Sequence, residues 1–174
     1  MTVQNLKKNF RDLRSGFTLI ELLIVIAILG VLAVVVLVAI NPVQQLARTR
    51  DAGRISTVAQ LGHASEAYYT AQGAVYPQTL AALASTGELN QVPGMVDNSL
   101  TTECTGHTDG WCVDVDADPA TEIAIWSALE AQTNISLCGV SATAAYAAYL
   151  SSAGRTCIVC DEPTSATTDT DCVN

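Results

Sequence analysis

Glu21 is the residue of this chain whose position most needs a chemical reason. It lies four residues after Phe17, at the head of an apolar run in which the nineteen residues Leu22 to Ile40 carry no charge and no polar side chain. A carboxylate at that depth requires a partner, and no cation stands between Phe17 and Arg48. The partner is therefore expected from another molecule. Were the chain cut after Gly16, each copy would gain an α-amino group on Phe17, one helical turn from its own Glu21 and free to pair with a neighbour's. An acid and an amine offset along one axis favour a staggered head-to-tail stack, the heterologous contact that builds open helical filaments. Insertion itself tolerates the acid. The run holds fifteen Leu, Ile and Val, each worth about 0.3–0.6 kcal/mol, against about 3 kcal/mol for one buried charge.

Other chemistry is sparse. The six cysteines Cys104, Cys112, Cys138, Cys157, Cys160 and Cys172 all follow the apolar run. An even number so placed reads as disulfides formed in an oxidising compartment, with pairings that spacing alone does not select. A local set would join Cys104 to Cys112, Cys138 to Cys157 and Cys160 to Cys172. A zinc site from Cys104, His107, Cys157 and Cys160 has ligand-like spacing, but it strands the other three cysteines. A redox Cys157-x2-Cys160 pair lacks the βαβ context such motifs need. Asp114, Asp116 and Asp118 are weak calcium candidates, because an EF-hand loop would need Gly where Pro119 stands and Glu where Ile125 stands. His63 and Glu66, one turn apart on a helix, read more simply as a solvated face than as a metal pair. No phosphate-binding glycine loop, Gly-x-Ser-x-Gly elbow or His-Glu-x-x-His pair occurs. The expectation is a protein that is not an enzyme and has no cofactor, calcium at the aspartates being the one exception entertained.

The elements that must position these residues follow from charge and periodicity. Charged residues make up 14% of the 174, and 49% are apolar, which excludes a disordered chain and suggests that part of it lives in lipid or in an assembly. At about 1.5 Å per residue the apolar run spans the roughly 30 Å of a bilayer core. It is too long for the core of a cleaved secretory signal. Lys7, Lys8, Arg11 and Arg14 precede it, and removal of residues 1–16 would leave four cations against 16 anions, a formal charge of −12. So acidic a body excludes a sequence-independent nucleic-acid binder. The cysteines place it on the extracytoplasmic side.

Beyond the run, Asn41-Pro42 is expected to interrupt the helix, and Gly30 is a second weak point. The residues Leu46, Ala47, Ile55, Val58, Ala59, Gly62, Ser65, Tyr68 and Tyr69 then recur at helical spacing, with Arg48, Asp51, Gln60 and Glu66 on other faces. Gly73 and Pro77 end this continuation. Thr79 to Ser85, closed by Gly87, reads as a short helix, and Trp111 to Val115 and Glu122 to Ala128 as a hairpin looped at residues 116–121. Ala142 to Ser152 has no clear assignment, and residues 161–174 read as a terminal loop held only by Cys172. The expected fold class is α+β: a long N-terminal helix, membrane-embedded in its first half and packed by its second half on a small antiparallel head. The expected divisions are a leader (1–16), a transmembrane and assembly helix (17–40), its amphipathic continuation (41–72) and a disulfide-stapled head (73–174).

The run from Gly16-Phe17-Thr18-Leu19-Ile20-Glu21 through Ala33 resembles the N-terminal signature of type IV prepilins and of the pseudopilins of type II secretion. Residues 69–77 are similar to the tyrosine, glycine and Tyr-Pro connection after the helix in many pilins and major pseudopilins. The resemblance implies cleavage after Gly16 by a prepilin peptidase, N-methylation of Phe17 and an assembly role for Glu21. It also implies a single-pass precursor in the cytoplasmic membrane, polymerised by an ATPase and a membrane platform protein into a surface or periplasmic filament. The expected function is a subunit of a type IV pilus-like filament. A major-type pseudopilin of a type II secretion system is the alternative, with a membrane-anchored binding head that never polymerises as the reading from another class.

Overall fold

The computed structural model of the chain describes residues 16–94, 111–116 and 120–173. Their architecture is α+β, with two long helices, two short ones and one five-stranded sheet. The chain divides into two compact units at Pro42/Val43.

The first unit contains α1 (Leu19–Ala39), in which no residue is buried. It is long and apolar enough to cross a membrane, and its exposed aliphatic side chains need lipid or other protein around them. The helix stops where the sequence says it should. Ile40 is extended, its N–H bonding Val36 O at 3.1 Å, and α2 (Pro42–Ala71) starts on the proline itself. Proline biases the residue before it away from helical geometry, yet suits a helix's first position, where no N–H is needed.

In the second unit α2 lays one stripe against the sheet: Ala47, Asp51, Arg54, Val58, Leu61, Gly62, Ala64 and Ser65 are buried. This corrects the expected stripe. Leu46 stays 59% exposed, whereas Asp51, expected on another face, lies inside at 1%, and Arg54, Leu61 and Ala64 are buried with it. The short helix α3 (Leu80–Thr86) is bounded by Thr79 and by Gly87 at φ 88°, the left-handed cap that glycine provides without steric cost.

The sheet is antiparallel in the order β1 (Cys112–Val115), β2 (Ile123–Ala128), β3 (Tyr146–Leu150), β4 (Arg155–Val159) and β5 (Cys172–Val173). Because side chains alternate along a strand, Ile123 and Ile125 meet Val58, Leu61, Leu80, Leu83, Trp111 and Tyr149 on the helix side. On the other side Ala124, Trp126, Ala148, Leu150 and Val159 form a second cluster with Cys112 and Cys157. The expected hairpin is present as β1 and β2, and the unassigned alanine-rich run supplies the central strand β3.

The C-terminal segment is more firmly held than expected. Ser165 donates through N and Oγ to Asp114 Oδ2 on β1, at 2.7 and 3.0 Å. Ser152 Oγ bonds Thr167 O, Arg155 pairs with Asp169, and Val173 adds β5 to the edge of β4. Cys172 is one anchor among several.

Candidate functional site

The head of α1 carries a reciprocal cap. Thr18 is the N-cap residue, extended at φ −80° and ψ 150°. Its N–H and its hydroxyl both donate to Glu21 Oε2 at 2.9 Å, and its Oγ1 accepts from Glu21 N at 3.3 Å. Such a box satisfies donors that the first turn of any helix leaves unpaired. The expectation that Glu21 depends wholly on a second molecule is thus corrected: the single chain already gives the carboxylate two hydrogen-bond donors, though no cation. Gly16 and Phe17 precede the helix and are exposed, Phe17 by 88%. Thr18→Val removes the hydroxyl that caps Glu21 N. It should weaken the first turn by about 1 kcal/mol, read as roughly five-fold faster exchange of the Glu21 amide in detergent micelles, while exchange near Val31 stays as it is.

A polar joint that sequence reasoning missed ties α2 to the head. Asp51 Oδ1 accepts from Arg54 Nη1 at 3.0 Å and from Glu130 N at 2.9 Å; Oδ2 accepts from Ala131 N at 2.8 Å and Asn134 Nδ2 at 2.7 Å. The carboxylate therefore sits on the backbone donors leading into α4 (Gln132–Ile135). Glu130 in turn receives Arg50, through Nε and Nη2, and also contacts Arg54 Nη2. The hydrogen bond from Arg50, assisted by that from Arg54, holds the Glu130 carboxyl below the usual carboxylate range. Two acids and two arginines form a neutral set, which is how charged groups become tolerable inside a protein. The available signal was Arg50-Asp51-x-x-Arg54, with the second arginine one turn after the aspartate.

Glu66 is a second hub, not the solvated face expected of it. Its Oε1 accepts from Tyr76 Oη at 2.6 Å and Tyr149 Oη at 2.7 Å. Burial, reinforced by the bond to this carboxylate, raises both phenols well above the ordinary tyrosine value. His63 stays exposed, its ring meeting that of Tyr149 edge-on at a centroid distance of 6.2 Å. The Tyr76-Pro77 connection thereby fastens the end of α2 to the sheet.

The cysteines pair differently from the local set. Cys138 bonds Cys160 and Cys157 bonds Cys172, with Cα separations of 5.4 and 5.6 Å. Each bond joins segments that the sheet brings together: the 3-10 turn Ser136–Cys138 to the residue after β4, and β4 to β5. Cys112 is also disulfide-bonded; its expected partner Cys104 lies outside the described residues, as does His107. With Cys157 and Cys160 committed to other cysteines, neither the zinc set nor a Cys157–Cys160 redox pair stands. Of the calcium candidates, Asp118 lies outside the described residues. Asp114 faces Ser165, and Asp116 accepts from Thr121 Oγ1 and Glu122 N at 3.0 and 2.8 Å. Among the described residues no group of three or more His, Cys, Asp or Glu side chains could hold a metal.

No curated protein and no solved structure matches the chain. Residues 11–37 match the family model described as "Prokaryotic N-terminal methylation motif". That stretch contains Gly16, Phe17, the Thr18–Glu21 cap and most of α1. Residues 11–37 accordingly carry the type IV prepilin and pseudopilin signature, one of structural, pilin-like proteins.

Proposed function

We propose that the chain is the precursor of a filament subunit, cut after Gly16 by prepilin peptidase, N-methylated on Phe17 and polymerised through α1. The observation that carries this reading is α1 itself: a 21-residue aliphatic helix with no buried residue and a carboxylate fixed at its head. In the bilayer Thr18 satisfies part of that carboxylate. On assembly, the amine of a neighbour's Phe17 adds the missing positive charge, so the transfer from lipid to fibre gains an ion pair in a medium of low dielectric. The precursor spans the cytoplasmic membrane once, with the leader inside and the disulfide-bonded head outside. The assembly ATPase and platform protein act from the cytoplasmic side.

The test separates this from a head that is only anchored. Terminal sequencing of the mature protein should begin at N-methylated Phe17. Glu21→Ala should still insert and be processed, and sheared surface material should lose its fibres at least about tenfold, the loss of one buried ion pair being worth more than 1.4 kcal/mol. Undiminished fibres from Glu21→Ala would remove the proposed assembly role. Electron microscopy of the sheared fraction distinguishes a long pilus from the short fibre of a type II secretion pseudopilin.

A further inference from the structure

The helices cover the β4–β5 end of the head's sheet only in part: Thr156, Ile158 and Val173 are half-buried, with Ile55 of α2 and Ile158 packed against a small cluster of Leu129, Ala145 and Ala147. On the helix side, α2 and α3 pack over β1, β2 and β3. Register puts Thr156 and Ile158 of β4 and Val173 of β5 on that same side. There a groove of about 250 Å³ opens beside α2, lined by Ile55, Leu137, Thr156, Cys157, Ile158 and Val173. None of these residues is charged, in a body whose formal charge is −12 once residues 1–16 are gone. Two strands are about 10 Å across, the width of one helix.

The same unit carries apolar side chains that lack cover. Val43 and Leu46, in the first turns of α2, are exposed by 66% and 59%. They come after α1, the one helix apolar enough to span lipid among the described residues, and only two residues before Arg48. A protein surface is therefore their natural cover. They cannot fill their own groove, because Ile55 lies twelve residues beyond Val43 on the same helix, about 18 Å along its axis. A knob and a hole at different places on one surface make a heterologous contact that repeats without closing.

We infer that the β4–β5 groove of one subunit receives Val43 and Leu46 of a second copy. The inference rests on the filament reading and adds to it a docking site on the head. A benzophenone side chain placed at Ile158 of the full chain tests it. After irradiation of intact fibres, mass spectrometry should find the adduct on residues 43–46 of another subunit. An adduct on lipid or on a neighbouring head strand, or none, would overturn the docking. Leu46→Glu and Ile158→Lys should each lower fibre yield about tenfold with processing at Phe17 intact, and the pair combined should recover most of it. Full yield from Leu46→Glu, or no recovery in the pair, also counts against the contact. Wild-type protein that is processed yet never forms fibres would overturn the filament reading and take this inference with it.

Discussion

Gly62→Ala should destabilise the head by about 3 kcal/mol, although alanine is the better helix former by about 1 kcal/mol. A Cβ built on Gly62 would stand 2.2 Å from Cγ and Cδ2 of Tyr149 and 2.6 Å from Cδ1. Those are ring atoms, not the end of a flexible chain, and the ring has nowhere to go. Tyr149 is 1% exposed, its hydroxyl is bonded to Glu66, and its backbone belongs to β3 between two paired neighbours. The absent side chain is what lets α2 lie directly on the aromatic ring. Relief would require α2 to lift from the sheet, which would open the contacts of Val58 and Leu61. Gly53→Ala on the same helix is the control. Nothing lies within 4 Å of its Cβ, so alanine there should stabilise by about 0.5–1 kcal/mol. Thermal melting of both variants in detergent checks the pair: a midpoint lowered by roughly 10 °C for Gly62→Ala and slightly raised for Gly53→Ala. A Gly62→Ala midpoint at or above that of the parent would mean that α2 is not held as closely as described.

Elements written by one strong local preference were legible. The aliphatic run yields α1, Asn41-Pro42 its end, Thr79 and Gly87 the bounds of α3, and the alternation from Ile123 to Ala128 a strand. The misreadings share a different cause. Asp51 and Arg54 look like solvent-facing residues to any rule that counts hydrophobicity, because their burial depends on Glu130 and the donors of Ala131 and Asn134, some 80 positions away. Tyr146-Ala147-Ala148-Tyr149-Leu150 carries weak strand preference, as alanine does generally, yet all five of its residues pair on both sides and small side chains admit the close approach of α2. The cysteines could not be paired until the sheet placed β5 beside β4. One signal was present and passed over: Thr18-x-x-Glu21 is the capping-box pattern, and it offers Glu21 a partner three residues away.

Asp51→Asn should cost about 3–5 kcal/mol, the usual consequence of removing one member of a buried ion pair. The asparagine is nearly isosteric, so the loss is electrostatic and not a cavity. One carboxylate oxygen becomes an NH2 group facing other donors, among them Ala131 N and Asn134 Nδ2, and Arg54, whose Nε already lacks a hydrogen-bond partner, loses the anion against its Nη1. The lesion sits where α2 is joined to α4, and melting of the full chain in detergent should show it as a large drop in midpoint. The companion Asp51→Leu with Arg54→Met should recover little of the loss, since Glu130 N, Ala131 N and Asn134 Nδ2 would all be left without the acceptor that Asp51 supplies. Acid should mimic the lesion in part through Glu130. Its folded pKa is held low by Arg50 and Arg54, so the stability it contributes is fully present above the ordinary carboxylate value of about 4.3 and fades as pH falls through the lower folded value. The fall in midpoint on acidification should therefore be shallower in Glu130→Gln than in the parent. Equal slopes would place the acid sensitivity in other carboxylates, and an Asp51→Asn cost below about 1 kcal/mol would mean that apolar packing alone seats α2 on the head.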